Sequence, residues 1–185
     1  MIQEQVRRFL SEQSPLSRHR SVMEGESLQA SDVWQGLADL GLQGTAIPEA
    51  YGGVGAGYLP LCLVAQELGG VLAAVPFSSS VYLATEAITC FGSTDQKERY
   101  LPKLASGEWV GTLAVSEGPH APSPTNLTVV RSGDRLSGKK LVVPHGLAAD
   151  FAVVLVTSDA GTDLVLAGLE GVERSAVEIV DPSIA

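Results

Sequence analysis

Few side chains in this sequence stand at spacings that do chemistry by themselves. The three histidines, His19, His120 and His145, are scattered and share no metal-ligand spacing, so no metal site is expected. No GxGxxG, Walker loop, HExxH or GxSxG string occurs. Cys62 and Cys90 each lie in an apolar stretch, which predicts buried free thiols in a reducing, cytoplasmic setting rather than a disulfide framework. Glu49, Glu67, Glu86 and Glu98 read as solvated or structural carboxylates. Ser116 ends the strand-like string TLAVSEG (112–118) and, by itself, reads as a serine capping a turn. Lys139 and Lys140 read either as phosphate ligands or, preferably, as exposed hairpin lysines.

The elements that must position these residues change character near residue 108. Before it, apolar residues recur at helical spacing. Ile2, Val6, Phe9 and Leu10 share one helix face, and Ser14-Pro15 ends that helix. Residues 15–30 are polar and read as irregular or weakly helical. Asp32, with Gln35 three residues on, predicts a capping box for a helix bearing Val33, Trp34, Leu37 and Leu40, with Gly41 as its stop. Glycines 44, 52, 53, 55 and 57 give the stretch before Tyr58 access to positive φ. Pro60 then opens a helix to about Leu68, apolar on nearly all sides and so expected to be central. Ser78 to Ser80 are expected to cap a helix with Val81, Leu83, Ala84, Ala87 and Ile88 inward. Ser93 and Gln96 predict a second capping box, ahead of Tyr100, Leu101 and Leu104.

From Trp109 on, the pattern predicts strands near 109–115, 126–131, 135–143, 151–156, 163–169 and 176–180, with Ser132-Gly133-Asp134 as a hairpin turn. A hydrophobic fraction of 45% against 18% charged residues is that of a globular chain. The net charge of −9 argues against nucleic acid or an anionic membrane surface as the main partner. The longest apolar run, from Leu59 to Ala65, is too short to span a bilayer, and residues 2–10 do not form a signal-peptide core.

Five strings follow one another in a telling order: DLGLQGTAIPEAYGG (39–53), AQELGG (65–70), FGSTDQKERYLPKLASGEW (91–109), TLAVSEG (112–118), and the pair LSGKK (136–140) with AADFAVVLV (148–156). In this order and spacing the sequence resembles the acyl-CoA dehydrogenase family over almost its whole length. The resemblance implies an α+β fold: an N-terminal all-α helical bundle, residues 1–108, followed by an incomplete antiparallel β-barrel or sandwich, residues 109–185. It implies a flavoprotein oxidoreductase of fatty acid and lipid metabolism that removes hydrogens from the α and β carbons of an acyl-CoA thioester. FAD is the implied cofactor. Leu113, Val115 and Ser116 match the family strand that faces the flavin edge, Val143 matches the stretch packed on the ring, and Ser123 stands for the loop serine near the substrate.

Two departures imply weaker flavin binding. The loop after Glu117 is proline-rich (Pro119, Pro122, Pro124), and prolines lack the N–H donors that phosphates need. Val142, Val143 and Pro144 stand where the family carries an aromatic-Ile-Thr stretch. The family's catalytic glutamate belongs to a C-terminal helical domain that is expected to lie outside these residues, so no catalytic residue is assigned. The implied partners are acyl-CoA, a homo- or hetero-oligomeric assembly, and an electron-transfer flavoprotein or other acceptor. Three alternatives remain: part of a full dehydrogenase, a short subunit completed by a partner chain, or a non-catalytic interaction module.

Overall fold

The computed structural model describes residues 2–159, 161–178 and 181. Six α-helices come first: α1 (Ile2–Gln13), α2 (Leu16–Met23), α3 (Ser31–Asp39), α4 (Tyr58–Gly70), α5 (Glu86–Phe91) and α6 (Thr94–Ala105). A short 3-10 turn, Glu49–Tyr51, precedes α4, and a π-helix, Ser78–Thr85, runs directly into α5. Five strands follow: β1 (Gly111–Ala114), β2 (Val130–Ser132), β3 (Arg135–Ser137), β4 (Phe151–Ser158) and β5 (Gly161–Gly168).

The helical core forms where the periodicity placed it. Val6 and Leu10 of α1, Val33 and Leu37 of α3, and Leu61, Val64 and Leu68 of α4 join one buried cluster. The stretch 15–30 contains a true helix, α2. The capping box expected at Asp32 does not form: α3 starts at Ser31 with Ala30 at its N-cap, so Asp32 lies inside the first turn, where it pairs with Arg18, and Gln35 donates to Asp39. The box at Ser93 does form, with Gln96 N–H donating to Ser93 Oγ at 3.2 Å and Ser93 N–H to Gln96 Oε1 at 2.8 Å.

Two further expectations are corrected on α4 and its neighbour. The helix α4 is not enclosed, because Tyr58, Leu59 and Cys62 face outward, opposite Leu61, Val64 and Leu68. Cys62 is therefore exposed, and so is Cys90, whose thiol donates to Glu86 Oε1 on an outer face. The serines at 78–80 do not cap a new helix. They lie within the π-helix, where Thr85 Oγ1 reaches back five residues to the Ser80 carbonyl at 2.8 Å.

The sheet is open and mixed. The antiparallel pairing expected from sequence holds for β2–β3 and β4–β5, whereas β1 runs parallel to β4 in the register Gly111↔Phe151 to Ala114↔Val154. Asp150 starts that register: Val110 N–H donates to its carboxylate at 2.7 Å, and its own N–H donates to the Val110 carbonyl at 2.8 Å. The central strand β4 is buried on both faces, which explains its unbroken FAVVLV run. Phe151 and Val153 join Ile88, Leu101 and Leu104 of the helices, while Ala152, Val154 and Val156 face the other way, with Ala114 and Val129. The strand expected over 135–143 stops at Ser137. Of the strand expected at 176–180, residues 176–178 are irregular and 179–180 lie outside the described residues. Among the described residues no helix is long and apolar enough to cross a membrane.

Candidate functional site

The strand β1 sits between the π-helix and β4, and two small contacts fix it there. Ser80 Oγ accepts the Gly111 N–H at 3.1 Å. A Cβ at Gly111 would lie 2.6 Å from Ala84 Cβ and 2.8 Å from the Phe151 ring, so only glycine permits this approach. Beyond Gly111, Thr112 is fully buried and its hydroxyl donates to the Pro144 carbonyl at 2.7 Å. That bond ties β1 to the 142–145 segment. Leu113 packs against the helix–sheet cluster, and Ala114 faces the opposite side.

The end of β1 carries the densest polar cluster. Ser116 is half-buried; its carbonyl accepts the Leu141 N–H at 2.8 Å, and its hydroxyl makes no hydrogen bond to any described residue. Next to it, Glu117 and Lys140 form an ion pair at 2.5 Å, with side chains 9% and 8% exposed. The carboxylate also accepts the Thr128 N–H at 2.5 Å, the Thr128 hydroxyl at 2.6 Å and the Val129 N–H at 3.2 Å. Lys140 Nζ reaches the Val115 carbonyl at 3.3 Å as well. Burial alone would raise the pKa of Glu117; the donors from Lys140, Thr128 and Val129 outweigh it and hold the carboxyl at about 2. One pair thus joins residues 115–117, 128–129 and 140.

On the other face of the sheet lies a cavity of about 1200 Å³, lined by Ala114, Leu136, Val143, Ala152, Val154 and Val165 among others. Val142 and Pro144 also line it, Val142 being 60% exposed with φ +51°. Leu113, Val115 and Ser116 are not part of this lining. The residues singled out from sequence therefore divide. Val115 and Ser116 stand at the end of β1, Leu113 turns toward the helices, and Val143 lines the cavity. Ser123 stands apart from them in the 118–127 loop. Its N–H donates to Asn126 Oδ1 at 2.7 Å and its hydroxyl lies 3.0 Å from that of Thr125, while Asn126 Nδ2 closes the loop onto the Ala121 carbonyl.

Sequence reasoning missed two groups. Lys140, read as an exposed hairpin lysine, is buried in the Glu117 pair; its neighbour Lys139 is the exposed one. A charged residue between the hairpin and an apolar run was the available signal. His145, read as one of three scattered histidines, is 3% exposed with φ +51°, and its Nδ1 has no hydrogen-bond partner among the described residues. Burial pushes its pKa down to about 4, against a smaller upward pull from Asp181. Among the described residues no cluster of His, Cys, Asp and Glu could hold a metal ion.

Residues 1–108 match the family described as "Acyl-CoA dehydrogenase, N-terminal domain". Mitochondrial isovaleryl-CoA dehydrogenase of Bos taurus is 35% identical over 165 residues, covering 85% of this chain and 38% of that protein. Among solved structures, the Tcur3481-Tcur3483 steroid ACAD G363A variant superposes with a TM-score of 0.81 at 34% identity, over 91% of this chain and 47% of that one. A glutaryl-CoA dehydrogenase from Mycobacterium smegmatis in complex with FADH2 gives 0.78 at 26% identity, over 96% and 47%. The chain thus spans less than half the length of each of these proteins.

Proposed function

The chain belongs to the acyl-CoA dehydrogenase family, and from that membership we propose that it supplies the flavin-edge half of a site for α,β-dehydrogenation of an acyl-CoA thioester. The observation that carries this reading is the Ser116 hydroxyl, half-buried at the end of β1 and without a hydrogen bond to any described residue. The proposed roles are residue by residue. Backbone groups of Leu113 and Val115 and the Ser116 hydroxyl face the pyrimidine edge of FAD, Val143 packs near the ring, and Ser123 lies toward the acyl-CoA. Residues 1–108 act as the helical domain and 109–185 as part of the middle β-domain. The FADH2 complex of a relative that superposes over 96% of this chain supports the choice of cofactor.

The residues present fit such a ligand at its edge and leave its ring face thinly covered. Ser116 offers a hydroxyl, whereas Val142 and Pro144 offer neither an aromatic face nor a side-chain hydroxyl. When bound, FAD would accept the hydride leaving the β carbon. This chain's own part is to bind and orient; the base that takes the α-proton is assigned to no residue here. A homo- or hetero-oligomer, with an electron-transfer flavoprotein or other acceptor, completes the proposal. The bare apolar surfaces at Leu59 (76% exposed) and Phe91 (78% exposed) support further packing partners. The two free thiols suit a reducing, cytoplasmic setting. The valines and proline at 142–144 favour a second reading, an FAD-poor or non-catalytic subunit of a hetero-oligomeric dehydrogenase.

The test is a visible absorption spectrum of the purified chain before and after excess FAD and desalting. Flavin colour that survives desalting is the expected result. A colourless protein overturns the flavin half-site and leaves the second reading.

A further inference from the structure

The ion pair of Glu117 and Lys140 lies beside the proposed flavin edge, and a flavin-binding role needs no direct contact from it. Four donors converge on one carboxylate, from Lys140 Nζ, the Thr128 hydroxyl and two backbone N–H groups. Charge-assisted hydrogen bonds of this kind are the stronger and more directional ones. They close the base of the 118–127 loop, because Glu117 and Thr128 are its two flanks. They also bring Lys140 against the Val115 carbonyl, one residue before the Leu141 N–H that holds the Ser116 carbonyl. Ser116 is thus fixed from both sides: through its neighbour Glu117 and through the 140–141 backbone. The 142–145 segment that follows is pinned in turn by the Thr112 hydroxyl.

We propose that Glu117 and Lys140 are positioning residues: their buried pair sets the Ser116 hydroxyl and the 141–143 backbone in the flavin-ready arrangement before any flavin arrives. This rests on the functional reading above and deepens it. Such preorganisation removes an ordering cost that would otherwise be drawn from binding. The pair's chemistry separates positioning from mere stability. An apolar pair of similar volume can replace a buried ion pair with little loss of stability, or even a gain, yet it cannot accept the Thr128 and Val129 N–H groups.

The experiment compares the full chain with Lys140→Met and with the double variant Glu117→Met/Lys140→Met. It reads the thermal midpoint, and FAD affinity by quenching of flavin fluorescence. Lys140→Met is expected to lower the midpoint and weaken FAD binding on the order of tenfold. The double variant is expected to recover only part of the midpoint, since the Thr128 and Val129 N–H groups still lack their acceptor, and none of the affinity. Affinity that returns along with the midpoint overturns the positioning role, as does a Lys140→Met protein that binds FAD like the wild type. A wild-type chain that binds no FAD overturns the functional reading, and this proposal falls with it.

Discussion

Arg7–Glu67 in the helical half and Lys140–Glu117 in the sheet half each join distant segments with similar chemistry; both carboxylates are covered, at 10% and 9% exposure, and the cations differ. Arg7 crosses from α1 to α4 with its side chain 64% exposed, donating to both Glu67 oxygens at 2.7 and 2.8 Å. Lys140 and Glu117 are each below 10% exposed. The helical half already has Val6, Leu10, Val33, Leu37 and Val64 fully buried at its centre, so its ion pair decorates a finished core. The end of β1 borders a smaller cluster, made by Ala114, Val129, Ala152, Val154 and Val156. There, hydrogen bonds to one carboxylate join residues 115–117, 128–129 and 140 beside that small cluster, and a polar pair becomes an organising element.

Glu117→Met should separate the two halves most sharply. It leaves Lys140 covered without a counter-charge and removes the acceptor for two backbone N–H groups. A loss of about 3 kcal/mol in urea unfolding is expected, the low end for breaking a buried pair, since both side chains keep some exposure. A midpoint like that of the wild type would show that water enters and solvates the lysine.

Acid should act next, and on the sheet half first. His145 is held neutral, with a pKa of about 4 in the fold against about 6.5 unfolded. The unfolded chain therefore binds the extra proton between these values, and stability falls as pH drops from 6.5 to 4, by up to about 3 kcal/mol. The Glu117 contribution has the other origin: a depressed carboxylate, fully stabilising above about 4.5 and lost as pH falls toward about 2. Urea midpoints measured over this range should fall in two steps. His145→Asn should flatten the upper one, since asparagine does not titrate and tolerates the positive φ of this position. An unchanged upper step in that variant would assign it to another group.

The same contrast marks what the sequence made legible. The end of α1 at Ser14-Pro15, the Ser93 box and the buried run of β4 are local patterns, and each formed where it was read. Features set by distant partners were not legible. The π-helix is registered by β1, through Ser80 and Gly111. Asp32 leaves its capping role for Arg18, fourteen residues back by numbering. Cys62 is exposed because α4 has only one covered face. Lys140 looked like a hairpin lysine because its partner lies in another segment. Of the candidate site, Ser116 was findable from a motif, but the pair beside it needed the fold.

On the helical side, Ser93→Ala removes one half of a local capping box and should cost about 1 kcal/mol, read as a lower urea midpoint. An unchanged midpoint would mean that the Gln96 side chain alone caps α6.

Arg7→Ala should have the smallest effect. The truncated position opens to water, and Glu67 keeps the Gln3 amide at 2.8 Å. A cation that stands mostly in water often contributes little that can be measured, even where, as here, its carboxylate is 10% exposed. Salt sharpens the comparison further, because it shortens electrostatic reach from about 10 Å at 0.1 M to about 3 Å at 1 M. Whatever Arg7→Ala costs at low salt should shrink at 1 M, while the cost of Glu117→Met should persist, since its charges meet within a covered contact. A salt-resistant Arg7→Ala effect would place Arg7–Glu67 in the same class as Lys140–Glu117. The α1–α4 contact would then depend on that pair as the end of β1 depends on its own.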